Sequence, residues 1–246
     1  MEVHHHPHVE KKNFKEYFLE FLMIFLAVTL GFFAENVREH IADNDKGKLY
    51  IQSLYNDMQQ DSTNIKTVIA FNERQIKMFD TLITLIHQPS PDSNNINKLY
   101  FFARITTRTF TFEPTDRTIV QLNNSGNFRL ISNIRLADSI LDYERQEATY
   151  KESISVSSTE RYALYPFIST IFDATVFTTM VDSANHIHLP VGLHSINISD
   201  KKLINQFIYY LHQVQSTRVA ETRSLQRLSK QSTEIRNLIK QNYTLQ

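Results

Sequence analysis

The run Phe21–Ala34, FLMIFLAVTLGFFA, carries no charge over fourteen residues and constrains this chain more than any other feature. Extended back through Tyr17, Phe18 and Leu19 it reaches eighteen residues, interrupted by Glu20 alone. Eighteen helical residues rise about 27 Å, close to the bilayer's hydrocarbon thickness of about 30 Å. A membrane-spanning helix over residues 17–34 is therefore the leading expectation, with a cleaved signal peptide and a buried soluble helix as its competitors. The signal-peptide reading is opposed by the end of the run, Gly31-Phe32-Phe33-Ala34-Glu35, whose paired Phe suits no small-residue cleavage site.

Orientation follows from the basic residues near each end. Lys11, Lys12 and Lys15 stand close on the N-terminal side and Arg38 alone is equally close on the other. The positive-inside rule then puts residues 1–16 in the cytoplasm and residues 35–246 outside it. In a bacterium with two membranes, this is an inner-membrane protein with its body in the periplasm. Glu20 lies one turn inside the span, where an acid is costly unless it reaches the interface. Ala27 and Gly31 form a small-xxx-small pair that lets two helices approach closely in the membrane.

Beyond the span the chain reads as long helices. From Glu35 to Gln88 there is no proline and a single glycine, Gly47. Apolar residues recur at Tyr50, Leu54, Met58, Ile65, Val68, Ile76, Phe79 and Leu82, the three-and-four spacing of an amphipathic helix. A stalk helix continuing from the span is expected, with a joint near Asp43–Gly47 and an end at Pro89 and Pro91. Asn95–Ile105 predicts a short helix, and the Thr-Phe alternation of residues 106–112 a short strand. Thr115 or Asp116 is placed to cap a helix to Asn124, and Gly126 to end it in the left-handed conformation. Ser132 or Asn133 caps the next helix. The poor helix formers Ser153–Thr159 predict a break, and Ser157 with Glu160 a capping box for a helix reaching Val181. Residues 186–198 read as extended, and Ser199 or Asp200 caps a last helix to about Tyr243. In that helix the apolar seam lapses between Gln215 and Ser224. The expected fold is mainly α: a transmembrane helix continuing into an antiparallel bundle of long helices.

Composition excludes several function classes. The chain has no cysteine, which removes disulfide scaffolds, thiolate metal sites and a Cys nucleophile. Its formal net charge is zero, which removes the simplest case for nucleic-acid binding. The charge is unevenly spread: residues 35–88 hold eight acids and six bases, residues 199–246 three acids and eight bases. An antiparallel return would bring Arg236 and Lys240 near Glu35, Glu39, Asp43 and Asp45, a juxtamembrane charge cluster open to pairing or to lipid contact. His4, His5, His6 and His8 form a His-rich tract, and His186, His188 and His194 surround Leu189-Pro190-Val191-Gly192 with Asp182 nearby. Either set offers metal-ligating imidazoles, but no defined ligand set or second shell accompanies them, so no metal and no cofactor is expected. No nucleotide-binding glycine loop, HExxH or nucleophile motif is readable, and no enzyme is expected.

The block Val9-Glu10-Lys11-Lys12, Phe14-Lys15-Glu16-Tyr17, LMIFLAVTLGFFAE and Arg38-Glu39-His40 resembles the opening of an uncharacterised family of bacterial single-pass membrane proteins. Leu122-Asn123-Asn124-Ser125-Gly126-Asn127-Phe128-Arg129-Leu130-Ile131, followed by Ile140-Leu141-Asp142-Tyr143, is similar to an L-x-x-S-G-N-x-x-L-I … I-x-x-Y element of that domain of unknown function. The resemblance covers residues 1–60 and 117–145 and implies a membrane anchor with a helical extracytoplasmic domain. It carries no activity or ligand. The Ser125-Gly126-Asn127 turn has a structural reading of its own: glycine as left-handed cap, with its neighbours satisfying backbone groups. The functional expectation is an interaction or scaffold role in the cell envelope, with the lipid bilayer and a second copy or an envelope protein as partners. The alternative is a ligand-sensing bundle, and a metal protein or enzyme using the loop histidines stands last.

Overall fold

The computed structural model describes residues 13–245, which are mainly helical and contain no β-strand. The helices are α1 (Phe14–Ile86), α2 (Ser93–Thr106), α3 (Arg117–Asn124), α4 (Ile134–Tyr162), α5 (Tyr165–Ile171), α6 (Ala174–Thr179) and α7 (Lys201–Asn242). A 3₁₀ turn, Asn127–Leu130, joins α3 to α4. Contacts divide the chain between Leu49 and Tyr50 into two units.

In the first unit the opening of α1 is set by Asn13, whose backbone N–H donates to Glu16 Oε2 at 3.1 Å in half of a capping box. From there the apolar side chains point outward on every side: Phe18, Phe21, Ile24, Phe25, Leu30 and Phe33 are all exposed. No joint interrupts the helix near Asp43–Gly47. Lone glycines cost a helix only about 1 kcal/mol, and the i,i+3 pairs Glu35–Arg38 and Asp45–Lys48 support the same stretch.

Packing in the second unit begins at Tyr50. One apolar core gathers Leu54, Met58 and Ile65 of α1, Leu136, Ile140 and Tyr143 of α4, and Leu225, Leu228 and Ile235 of α7. Another gathers Phe79 and Leu82 of α1, Leu99 and Tyr100 of α2, Phe172 and Met180, and Phe207 and Leu211 of α7. Ser62 meets Ser232, Arg218 meets Asn72, and Gln215 meets Ile76 and Asp80, so partners on α7 fall in number as those on α1 rise.

Several local expectations hold. Asn133 accepts from Leu136 N–H at the start of α4, Asp200 accepts from the N–H groups of Lys202 and Leu203 at the start of α7, and Gly126 is left-handed at φ 65°. Others are corrected. Residues 107–116 form no strand; Phe112 is instead buried with its N–H donating to the Tyr150 hydroxyl at 3.0 Å. There is no break at Ser153–Thr159, because α4 runs on to Tyr162. Its hydroxyls bond back into the helix, Ser153 to Tyr150 O and Thr159 to Ser155 O, while Tyr150, Ser157 and Arg161 supply a buried face. Ser157 and Glu160 consequently start nothing. The helix expected from there to Val181 is divided into α5, with Pro166 in its first turn, and α6, capped by Asp173. Residues 186–198 are extended but join no sheet, pinned by isolated bridges Phe172–Ile196 and Val181–Ile187.

The conformation at Gly126 makes a direct test. A Cβ there meets nothing within 4 Å, so only the left-handed backbone opposes a side chain. Gly126→Ala is expected to cost about 1–2 kcal/mol in thermal or urea unfolding, and Gly126→Asn less, since asparagine tolerates that region.

Candidate functional site

Three groups of polar residues stand out in the second unit, two of them buried. The first lies where both apolar cores stop. On α1 they leave the stretch after Val68 and before Phe79, and on α7 the stretch after Val214 and before Leu225. Asn72, Gln75, Arg218, Glu221 and Thr222 fill this layer and are almost wholly buried. Arg218 Nη1 donates to Glu221 Oε2 at 3.1 Å and to Asn72 Oδ1 at 3.3 Å, and Gln75 Nε2 donates to Ile105 O at 3.1 Å. The seam that lapses in the sequence between Gln215 and Ser224 thus does not leave the interior; charged and polar groups occupy it. Burial pulls the Arg218 guanidinium below its usual range, opposed by Glu221. Arg218 Nε and Nη2, Glu221 Oε1 and Gln75 Oε1 have no protein hydrogen-bond partner.

The second group joins α1 to the segment before α3 and to α4. Asp57 accepts from Arg117 Nε at 2.8 Å and from the backbone N–H and hydroxyl of Thr118. Asp61 accepts from Thr115 N–H and from the Tyr143 hydroxyl, both at 2.8 Å. Glu147, one turn beyond Tyr143, is also buried. Burial first and the Asp61 charge second push its carboxyl up to about 8, with Lys151 opposing. Asp61 is raised by burial as well, against the bonds it accepts. Sequence reading missed this group because Asp57 and Asp61 look like ordinary polar positions of an amphipathic helix. The one available signal was their four-residue spacing on the side that also carries Leu54, Met58 and Ile65.

The third is the histidine loop. His188 Nε2 lies 2.8 Å and His186 Nδ1 3.3 Å from Asp182 Oδ2, while the N–H groups of His186 and Ala184 donate to Oδ1. The His188 ring and these N–H groups hold the Asp182 carboxyl at about 2. His194 is apart, its ring edge-on to Tyr100 and Nε2 3.2 Å from Val191 O. Among the described residues no three His, Asp or Glu side chains converge as a metal-holding group. His4, His5, His6 and His8 lie outside the described residues.

The remaining sequence-predicted positions have local roles. Ala27 and Gly31 are exposed on α1. Glu35 accepts from Arg38 Nε at 2.9 Å and Asp45 from Lys48 Nζ at 3.2 Å, each along its own helix, and Glu39 is exposed. Lys240 Nζ sits 5.4 Å from the Tyr55 ring centroid, a cation–π contact, and Arg236 is half-buried. At the Ser125-Gly126-Asn127 turn, Asn127 Nδ2 donates to the Tyr50 hydroxyl at 3.0 Å and to Ser125 Oγ. The turn therefore docks on α1 as well as capping α3.

Two outcomes follow from these buried charges. Removing one member of the Arg218–Glu221 pair strands the other, so Arg218→Ala is expected to cost about 3–5 kcal/mol. The double substitution Arg218→Met with Glu221→Leu is expected to be near neutral or stabilising, measured by unfolding of the full chain in mild detergent. For Glu147 the folded value near 8 stands above the ordinary 4.5, so between them the folded chain keeps a proton that the unfolded chain has lost. Stability then falls as pH rises from about 4.5 to 8, by up to about 1.4 kcal/mol per unit, and levels off above. Glu147→Gln removes this slope: its advantage over the parent in thermal melts is expected to be larger at pH 8 than at pH 5, and an equal gap at both would refute the assignment.

Comparisons with protein-family models, with curated proteins and with solved structures return no match to this chain.

Proposed function

We propose that this chain is a single-pass, membrane-anchored protein whose helical body serves an interaction or scaffold role in a bacterial envelope. The observation that carries the reading is the first part of α1. It is the one helix among the described residues long and apolar enough to cross a membrane, and no residue of that stretch is buried. A soluble core helix would be covered by its own fold, whereas here Phe, Leu and Ile side chains face outward all round, as lipid requires. The excess of Lys11, Lys12 and Lys15 over Arg38 supports a cytoplasmic N-terminus, which makes the body periplasmic. Within the second unit, the falling α7 partners of rising α1 positions support an antiparallel bundle.

The interaction role is supported by the loop after α6. Leu189, Val191 and Leu193 are 48%, 93% and 85% exposed, and Asn97 Nδ2 donates to Gly192 O, holding the loop's backbone while its apolar side chains stay outside. Such a cluster is suited to a protein partner. A second reading, ligand sensing, draws on an open groove lined by Phe71, Met78 and Ile105 with Arg74 and Arg108, an apolar floor with two guanidinium groups that suits an amphipathic anion.

In membrane fractions the full chain is expected to resist alkaline carbonate, and protease added to spheroplasts is expected to remove the body. A carbonate-soluble chain, or a body protected in intact spheroplasts, would overturn the anchor or its orientation respectively. In the same preparations, Val191→Asp with Leu193→Asp is expected to abolish chemical cross-linking to a partner without changing the melting temperature; unchanged cross-linking would remove the loop from the interaction.

A further inference from the structure

We propose that the 20–44 stretch of α1 is a seam along which two copies of this chain pair in parallel; the inference rests on the membrane reading of residues 17–34. Met23, Ala27, Leu30, Ala34, Val37 and Ile41 recur at alternating steps of four and three, the pattern of the core positions of a coiled coil, and all six are exposed. Lipid accounts for part of this stripe only. Val37 and Ile41 come after Glu35, and seven helical residues carry Ile41 about 10 Å beyond Ala34, where acyl chains no longer cover it. An apolar side chain there, 57% exposed, is available to a protein surface.

The side of α1 opposite the stripe is different in kind. Glu39 and Lys46 occupy its centre with Asp43 beside them, so past the membrane the helix is apolar on one flank and charged on the other.

The chemistry of the stripe favours a second copy over another occupant. Alanines at 27 and 34 hold the same heptad position and let two backbones approach within the bilayer, where close packing drives association. The stripe ends in a polar residue on each side. Asn44 takes the next core position beyond Ile41, where its amide can hydrogen-bond its counterpart in a parallel pair. Glu20, the one acid between Tyr17 and Ala34, takes the core position one heptad before Ala27. Intramembrane acids characteristically face a helix partner. The flanking residues agree with the same register. His40 precedes its core residue Ile41 and Asp45 follows Asn44, five residues apart, so His40 of each copy faces Asp45 of the other across a parallel pair. Two copies inserted by the same rule share one orientation, so the parallel alignment requires no further selection.

The sequence has no cysteine, so single cysteines report on this directly. Full-length Val37→Cys, Ile41→Cys and Asn44→Cys, in native membranes under mild oxidation, are expected to form disulfide-linked dimers several-fold faster than Glu39→Cys and Lys46→Cys. Adding Ile41→Glu to Val37→Cys is expected to slow its linkage several-fold while flotation with the membrane is unchanged. Equal rates at all five positions, fastest linkage at Glu39 or Lys46, or no dimer at any of them would overturn the seam. Flotation separates the two levels: a chain that fails to float overturns the anchor, while a floating chain with no periodicity overturns the seam alone.

Discussion

A guanidinium cannot be left unpaired inside an apolar core, and this constraint governs how α7 lies against α1. Arg218 is almost fully buried and has its carboxylate three residues along its own helix and its amide partner, Asn72, across on α1. Sliding α7 by one turn would carry Glu221 along with Arg218 but set the guanidinium against Val68 or Ile76 in place of Asn72. Each displacement leaves a buried hydrogen bond unmade, a penalty of about 1–3 kcal/mol, while the apolar contacts on either side change little in kind. Leucine and isoleucine seams supply most of the stabilisation; the Arg218 layer makes one of their possible registers the preferred one.

What was legible in the sequence is what short-range chemistry decides. The caps at Asn133 and Asp200 and the left-handed Gly126 were readable because each depends on a residue and its neighbours three or four positions away. The errors came where a distant partner overrides local preference. Ser153–Thr159 has poor helix propensity, yet α4 continues because Tyr150, Ser157 and Arg161 meet a buried surface that propensity does not register. Thr106–Phe112 alternates as a strand does, but among the described residues there is no strand to accept its hydrogen bonds, and Phe112 N–H goes to a tyrosine hydroxyl instead.

The buried carboxylates were illegible for a related reason. Asp57, Asp61 and Glu147 are common residues for a helix surface, and only the arrival of Thr115, Arg117, Thr118 and Tyr143 turns two of them into hydrogen-bond centres. Asp57 and Asp61 are well supplied with donors. Glu147 keeps an oxygen without a partner and is the member whose proton affinity rises most. The lapse in the α7 seam, by contrast, was visible as a pattern, and its meaning changed: the polar residues there face inward and hold the register.

On the proposed membrane reading α1 answers to two solvents, and its residue pattern changes where they change. Through residues 21–34 the side chains carry no charge on any side, so hydropathy hardly distinguishes one face; size does so instead, through Ala27, Gly31 and Ala34. From Tyr50 on, apolar and polar residues alternate at helical spacing because one face meets a core and the other meets water. The residues between belong to neither regime. They are too charged for lipid, yet Val37 and Ile41 are too apolar to be left to water. Their recurrence at steps of four and three suits another helix lying alongside, as in the pairing proposed above.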